Sequence, residues 1–82
     1  MIDQVKIRLT NSLATPRVVV LEPWAGEYTL APGRNFDILA EGDLSLPLEV
    51  EFTDDRVIIY AADSEGAMLR IFSDGIEILR SE

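Results

Sequence analysis

The chain is cut by seven turn signals into runs of about 7 to 12 residues, too short for ordinary helices and well matched to β-strands. The signals are Thr15-Pro16, Glu22-Pro23, Ala31-Pro32-Gly33, Glu41-Gly42-Asp43, Asp54-Asp55, Asp63-Ser64-Glu65-Gly66 and Ser73-Asp74-Gly75. Between them, polar and apolar residues alternate. Val5, Ile7 and Leu9 share one side of a first strand, with Lys6, Arg8 and Thr10 on the other. That pattern belongs to a strand with one buried and one wet face. Val18 to Leu21 is a continuous apolar run, which suits a strand covered on both faces or shielded by a loop. Tyr28 and Leu30 share a face in a brief strand. Phe36, Ile38 and Ala40 alternate with Asp37, Leu39 and Glu41. The cleanest alternation runs from Leu44 to Phe52. It points Leu44, Leu46, Leu48, Val50 and Phe52 inward and Ser45, Pro47, Glu49 and Glu51 outward. Pro47 cannot donate to a ladder and marks an edge, a bulge or the run-in to the strand. Val57 to Ala61, Met68 to Phe72 and Ile76 to Arg80 complete the set.

These runs predict an all-β fold, a small antiparallel β-sandwich or partly open barrel of seven to eight short strands, in a single domain over residues 1–82. No helix is required, although one 3₁₀ turn fits Trp24-Ala25-Gly26. Pro32-Gly33 suits the central positions of a type II turn, since proline presets the first φ and glycine accepts a positive second one. Asp74-Gly75 suits a type I′ hairpin turn. The expected core contains Val5, Ile7, Leu9, Leu46, Leu48, Val50, Phe52, Ile59 and Ile71.

Composition then narrows the chemistry. At 82 residues with 48% apolar side chains, the chain can build one core. A domain of this size buries only about 60–65% of its unfolded surface, so its stability margin is thin. There is no cysteine and no histidine. That removes disulfides, Cys-based metal or redox sites, and the commonest general acid–base group. No basic leader precedes an apolar stretch, and no apolar run approaches the roughly 20 residues that span a bilayer. A cytoplasmic chain is the expectation.

The net charge of −8 is unevenly spread. Residues 1–41 carry four basic groups against five acids, and residues 42–82 carry three against ten. Such a field repels phosphate backbones and anionic lipid surfaces and attracts a basic protein patch or a cation. The seven basic residues are scattered singly, without interleaved aromatics. Neither nucleic acid nor membrane is therefore expected as a partner.

The candidate sites are few. Glu49 and Glu51 lie on one strand face, about 7 Å apart at a rise of about 3.3 Å per residue. Paired carboxylates at such spacing can perform hydrolytic acid–base work. No serine elbow, phosphate-cradling loop or metalloprotease helix accompanies them. The chain is accordingly expected not to be an enzyme and to carry no cofactor. Asp54-Asp55 and Asp63-Ser64-Glu65 offer hard oxygen ligands for calcium, without EF-hand spacing. No metal site is assigned from them, because acidic turns also form simply because Asp accepts turn conformations. Trp24 and Tyr28 could bind a sugar ring or a partner side chain, or Trp24 could cap the core. Lys6 and Arg8 could face Glu49 and Glu51 across a sheet or across a dimer, since opposite charges attract across paired strands.

One resemblance covers residues 5 to 80. Leu21-Glu22-Pro23-Trp24, then Tyr28-Thr29-Leu30-Ala31-Pro32-Gly33, then an apolar strand ending Ala40-Glu41-Gly42, resembles a pattern in small uncharacterised bacterial all-β proteins. Asn11 after the first strand and Val57 to Tyr60 after an acidic strand are similar too. The resemblance implies the same all-β fold and supplies no activity to carry over. The expected role is a non-catalytic binding or assembly module acting through protein–protein contacts, with a protein partner or a second copy. The alternative is a small ligand-binding module for carbohydrate or calcium, using Trp24 and Tyr28 or the acidic loops.

Overall fold

Among the described residues, eight strands form two four-stranded sheets. The computed structural model describes residues 3–22, 26–42, 47–61 and 68–78. The strands are β1 (Asp3–Thr10), β2 (Arg17–Glu22), β3 (Gly26–Leu30), β4 (Asn35–Gly42), β5 (Glu49–Phe52), β6 (Arg56–Tyr60), β7 (Met68–Ser73) and β8 (Ile76–Glu77). Sheet one has the order β1-β4-β7-β8 and sheet two the order β3-β2-β6-β5. The arrangement is a sandwich rather than a closed barrel. No helix among the described residues is long and apolar enough to cross a membrane.

Turn chemistry sets the local chain reversals. Gly33 has φ +76, and Arg34 N–H donates to Ala31 O at 3.1 Å. Asp74 and Gly75 have φ +52 and +80, the two positive values a type I′ turn needs. The Asp54-Asp55 turn closes with Thr53 N–H on Arg56 O at 2.9 Å, joining β5 to β6. Residues 23–25, where a 3₁₀ turn is compatible with the sequence, lie outside the described residues.

One pairing departs from the all-antiparallel expectation: β2 and β6 are parallel, from Val18 beside Arg56 to Glu22 beside Tyr60. Ala61 N–H extends the ladder to Glu22 O at 3.0 Å. Parallel neighbours need a long crossover between them. Here the crossover is the whole excursion through β3, β4 and β5. It makes β2 an interior strand, and this accounts for its apolar run: Val19, Val20 and Leu21 are all buried.

The core sits between the sheets. Phe36, Ile38, Ala40, Leu69 and Ile71 come from sheet one, and Val19, Leu21, Leu30, Ile59 and Ala61 from the other side. Ile7, Leu9, Leu48, Val57 and Tyr28 pack around them. Asn11 is the one buried polar side chain among the described residues. It bonds Thr15 O, Leu30 O and the Leu13 N–H through its amide group at 2.9 to 3.0 Å. On the wet face of sheet one, Arg70 makes a bidentate pair with Glu77 (2.8 and 3.0 Å), reaches Glu41 at 3.4 Å and lies over the Phe72 ring. Strand β7 is thereby linked to both its neighbours, and the guanidinium holds the Glu77 carboxyl below its usual range.

The expected core requires correction. Ile59 and Ile71 are buried as expected, but Phe52 is 74% exposed, Val5 44% and Val50 39%. Val50 pairs with Ile59 and Phe52 with Val57, so the alternation gives their direction correctly. What fails is cover. Strand β5 is the edge of sheet two and β1 the edge of sheet one, and an edge strand is only half roofed by the opposite layer. Leu44 and Leu46 lie outside the described residues.

Two stability measurements check this packing. Ile59→Val should cost about 1 kcal/mol, and Phe52→Ala should stay within about 0.5 kcal/mol of wild type, both read from chemical unfolding. Equal losses at the two positions would contradict the exposed edge. A Cβ added at Gly75 meets no heavy atom within 4 Å beyond its chain neighbours, so the loss expected for Gly75→Val is backbone strain. A β-branched residue at φ +80 should cost about 1–3 kcal/mol, a melting shift of several degrees. An unchanged midpoint would contradict the type I′ turn.

Candidate interaction surface

Glu49 and Glu51 stand on the outer face of β5, exposed to solvent. On β6, Tyr60 lies opposite Glu49 and Ile58 opposite Glu51. The Tyr60 hydroxyl donates to Glu51 Oε1 at 2.9 Å. Further across the same face, Val20 sits between Ile58 and Glu27. Val18, Val20 and Ile58 therefore make an apolar stripe on the outer face of sheet two. Glu22, Glu27, Glu49 and Glu51 ring it, relieved by Arg56, which reaches Glu27 at 3.7 Å. The hydrogen bond to Glu51, then burial, then the charges of Glu51, Glu49 and Glu22, push the Tyr60 pKa above the ordinary tyrosine value.

The inner face of β5 is apolar. Phe52 and Val57 line a groove of about 310 Å³ with Leu9, Leu13 and Val19, and with Arg17 of β2 and Leu30 of β3. Leu13, in the loop after β1, is 49% exposed. Val5, Leu13, Val50 and Phe52 thus mark an incompletely covered apolar flank along the β1 and β5 edges.

Tyr28 is not part of this flank. It lies on β3, at the opposite edge of sheet two, and packs against the core. Its ring covers Gly26, where an added Cβ would come within 3.1 Å of the ring and hydroxyl. Tyr28 also lines a crevice with Leu69, Ile71 and Ile78. Tyr28 is thus half-buried, its ring packed on the core at a sheet edge rather than standing free in solvent. Trp24 lies outside the described residues.

The intrachain match of Lys6 and Arg8 with Glu49 and Glu51 is also corrected. Strand β1 pairs with β4, and β5 belongs to the other sheet. Arg8 makes a bidentate pair with Asp37 at 2.7 and 3.1 Å, which holds that carboxyl below its usual range. Lys6 stands exposed opposite Leu39.

The acidic turn at Asp54-Asp55 is tied into local bonds. Arg17 donates to Asp54 O, and the Asp55 carboxylate accepts from Thr53 Oγ1 at 3.3 Å and Arg56 Nε at 3.4 Å. Among the described residues no three acidic side chains come together as a metal cluster. Asp63 to Glu65 lies outside the described residues.

Ionisation of Tyr60 would break its bond to Glu51 and set a phenolate among carboxylates. The stability this bond contributes is complete below the ordinary tyrosine pKa of about 10 and is lost as pH rises through the higher folded-state value. An ultraviolet titration of the Tyr28→Phe chain should show Tyr60 ionising above that value, and Glu51→Gln should lower its midpoint. Identical curves with and without Glu51 would show that the bond is not kept in solution. No family model, curated protein or solved structure matches the chain, so the surface itself is what bears on function.

Proposed function

We propose that this chain is a non-catalytic binding or assembly module that acts through protein–protein contacts. The observation that carries the reading is the apolar flank formed by Val5, Leu13, Val50 and Phe52. A contiguous apolar surface with polar neighbours marks a contact site in a small protein. An aromatic side chain at its centre supplies the large buried area that dominates contact energies. Its setting favours protein over other partners. The acidic field opposes nucleic acid and anionic lipid, while carboxylates beside an apolar strip speed encounter with basic protein surfaces. A chain without cysteine has no need of an oxidising compartment, which suits action in the cytoplasm.

The test compares tagged wild type with Phe52→Asp, a change at a position too exposed to unsettle the core. Captured proteins, copies of the chain included, are quantified by mass spectrometry, and both baits are checked by thermal melting. At least one protein should be retained by wild type and reduced about tenfold by the variant, a difference of about 1.4 kcal/mol. Capture profiles that do not differ would remove the reading. So would a melting temperature raised by an oligosaccharide or by calcium alone, with no protein retained.

A further inference from the structure

We propose that the flank receives a second copy of this chain, with β1 of each copy pairing in parallel with β5 of the other. The proposal deepens the protein-contact reading and rests on it.

Four observations converge. First, β1 and β5 each end a sheet, so each has one side with no strand beside it among the described residues. Such a side is a template for pairing with another chain. Second, the two edges come to one groove, which Leu9 of β1 and Phe52 of β5 both line. Third, they run in the same direction. The chain turns from β1 into β2 at Asn11, so β2 runs opposite to β1. Strand β6 is parallel to β2, and β5 is antiparallel to β6. A two-fold axis along the strands therefore sets β1 beside β5 of the second copy in one layer and repeats the pairing in the other layer. The contact is self-complementary and closed, the commonest form of homodimer.

Fourth, both faces of the strands match. Setting Lys6 beside Glu49 of the second copy also sets Arg8 beside Glu51, Ile7 beside Val50 and Leu9 beside Phe52. Opposite charges meet on the wet face and apolar side chains on the inner face. The same charges oppose the other two-fold arrangement. Pairing β1 with its own copy would set Lys6 and Arg8 against Lys6 and Arg8, and pairing β5 with its own copy would set glutamates against glutamates. Arg8 and Glu51 are already held in place by Asp37 and Tyr60. Lys6 and Glu49 have no ion-pair partner among the described residues, and the second copy supplies one to each. The pairing also covers Val5, Val50 and Phe52, the exposed apolar residues of the edges.

The experiment is sedimentation equilibrium of wild type, Lys6→Glu, Glu49→Lys and an equimolar mixture of the two variants, each shown to be folded by thermal melting. Wild type should reach a monomer–dimer equilibrium. Each variant alone should dissociate about tenfold more readily. In the mixture, one layer pairs the acidic side chain at position 6 with the basic one at position 49 and the other keeps the native Lys6 and Glu49, with Arg8 beside Glu51 in both, so a dimer containing one of each chain should form at about the wild-type strength. Amide exchange should slow on dimerisation in β1 and β5 and stay unchanged in β3 and β8. A wild type that is monomeric at every concentration overturns the proposal, as does a dimer that the variants do not weaken or that the mixture does not restore. A monomeric wild type that still captures another protein through Phe52 overturns this pairing alone and leaves the protein-contact reading standing.

Discussion

Asn11 is the residue on which the geometry of the sandwich turns. Its side-chain amide donates to Thr15 O and Leu30 O, and its side-chain carbonyl accepts from Leu13 N–H. Its backbone bonds Arg34 O and Gly33 N–H at 3.0 and 2.8 Å. One buried residue therefore ties the end of β1, the loop into β2, the end of β3 and the turn into β4. Both connections that cross between the sheets at this end are pinned together. A hydrophobic side chain of similar size could fill the volume, but it would remove the bond to the buried Leu30 O as well as those to the part-buried Thr15 O and Leu13 N–H, and a buried group left unpaired costs about 1–3 kcal/mol.

With that end fixed, the two layers meet unequally. Tyr28, laid over Gly26, packs on the core beside Leu69, Ile71 and Ile78. The β1 and β5 edges have no such ring over them, and Val5, Val50 and Phe52 remain open to solvent, as does Ile76 on β8. The asymmetry follows from side-chain size and strand length. A tyrosine packs on the core at one edge, while β5 has only four residues and ends in an acidic turn. The functional proposals depend on the open β1 and β5 edges, because a sandwich with every inner-facing residue covered would offer a partner only its wet faces.

Much of the fold was legible in the sequence because turn residues have local causes. Pro32-Gly33 and Asp74-Gly75 adopt the backbone angles their residue types favour, irrespective of the rest of the chain. Alternation was legible for direction and not for depth. Val50 and Phe52 face the same side as Ile59 and Val57, yet only the interior strand has a roof, and sheet order is not written in a period of two. The candidate surface was legible in part. Glu49 and Glu51 are exposed as their phase requires. Tyr28 could not be placed, because an aromatic beside a glycine suits a rim contact and a core seal equally. Asn11 gave no signal beyond that of a polar residue opening a loop. Its role depends on Leu30 and Gly33, which only the folded chain brings near.

The parallel pairing of β2 with β6 carries a consequence for how the chain reaches this state. Val18 to Leu21 find their second set of neighbours only at Arg56 to Ile59, across most of the intervening sequence. Contacts of such long sequence separation slow folding, because the loop must be closed before the contact stabilises it. During synthesis the β2–β3 hairpin emerges well before β6 and has no sheet to join. The first half of the chain is therefore not an independent folding unit, and sheet two assembles around its interior pair late and cooperatively.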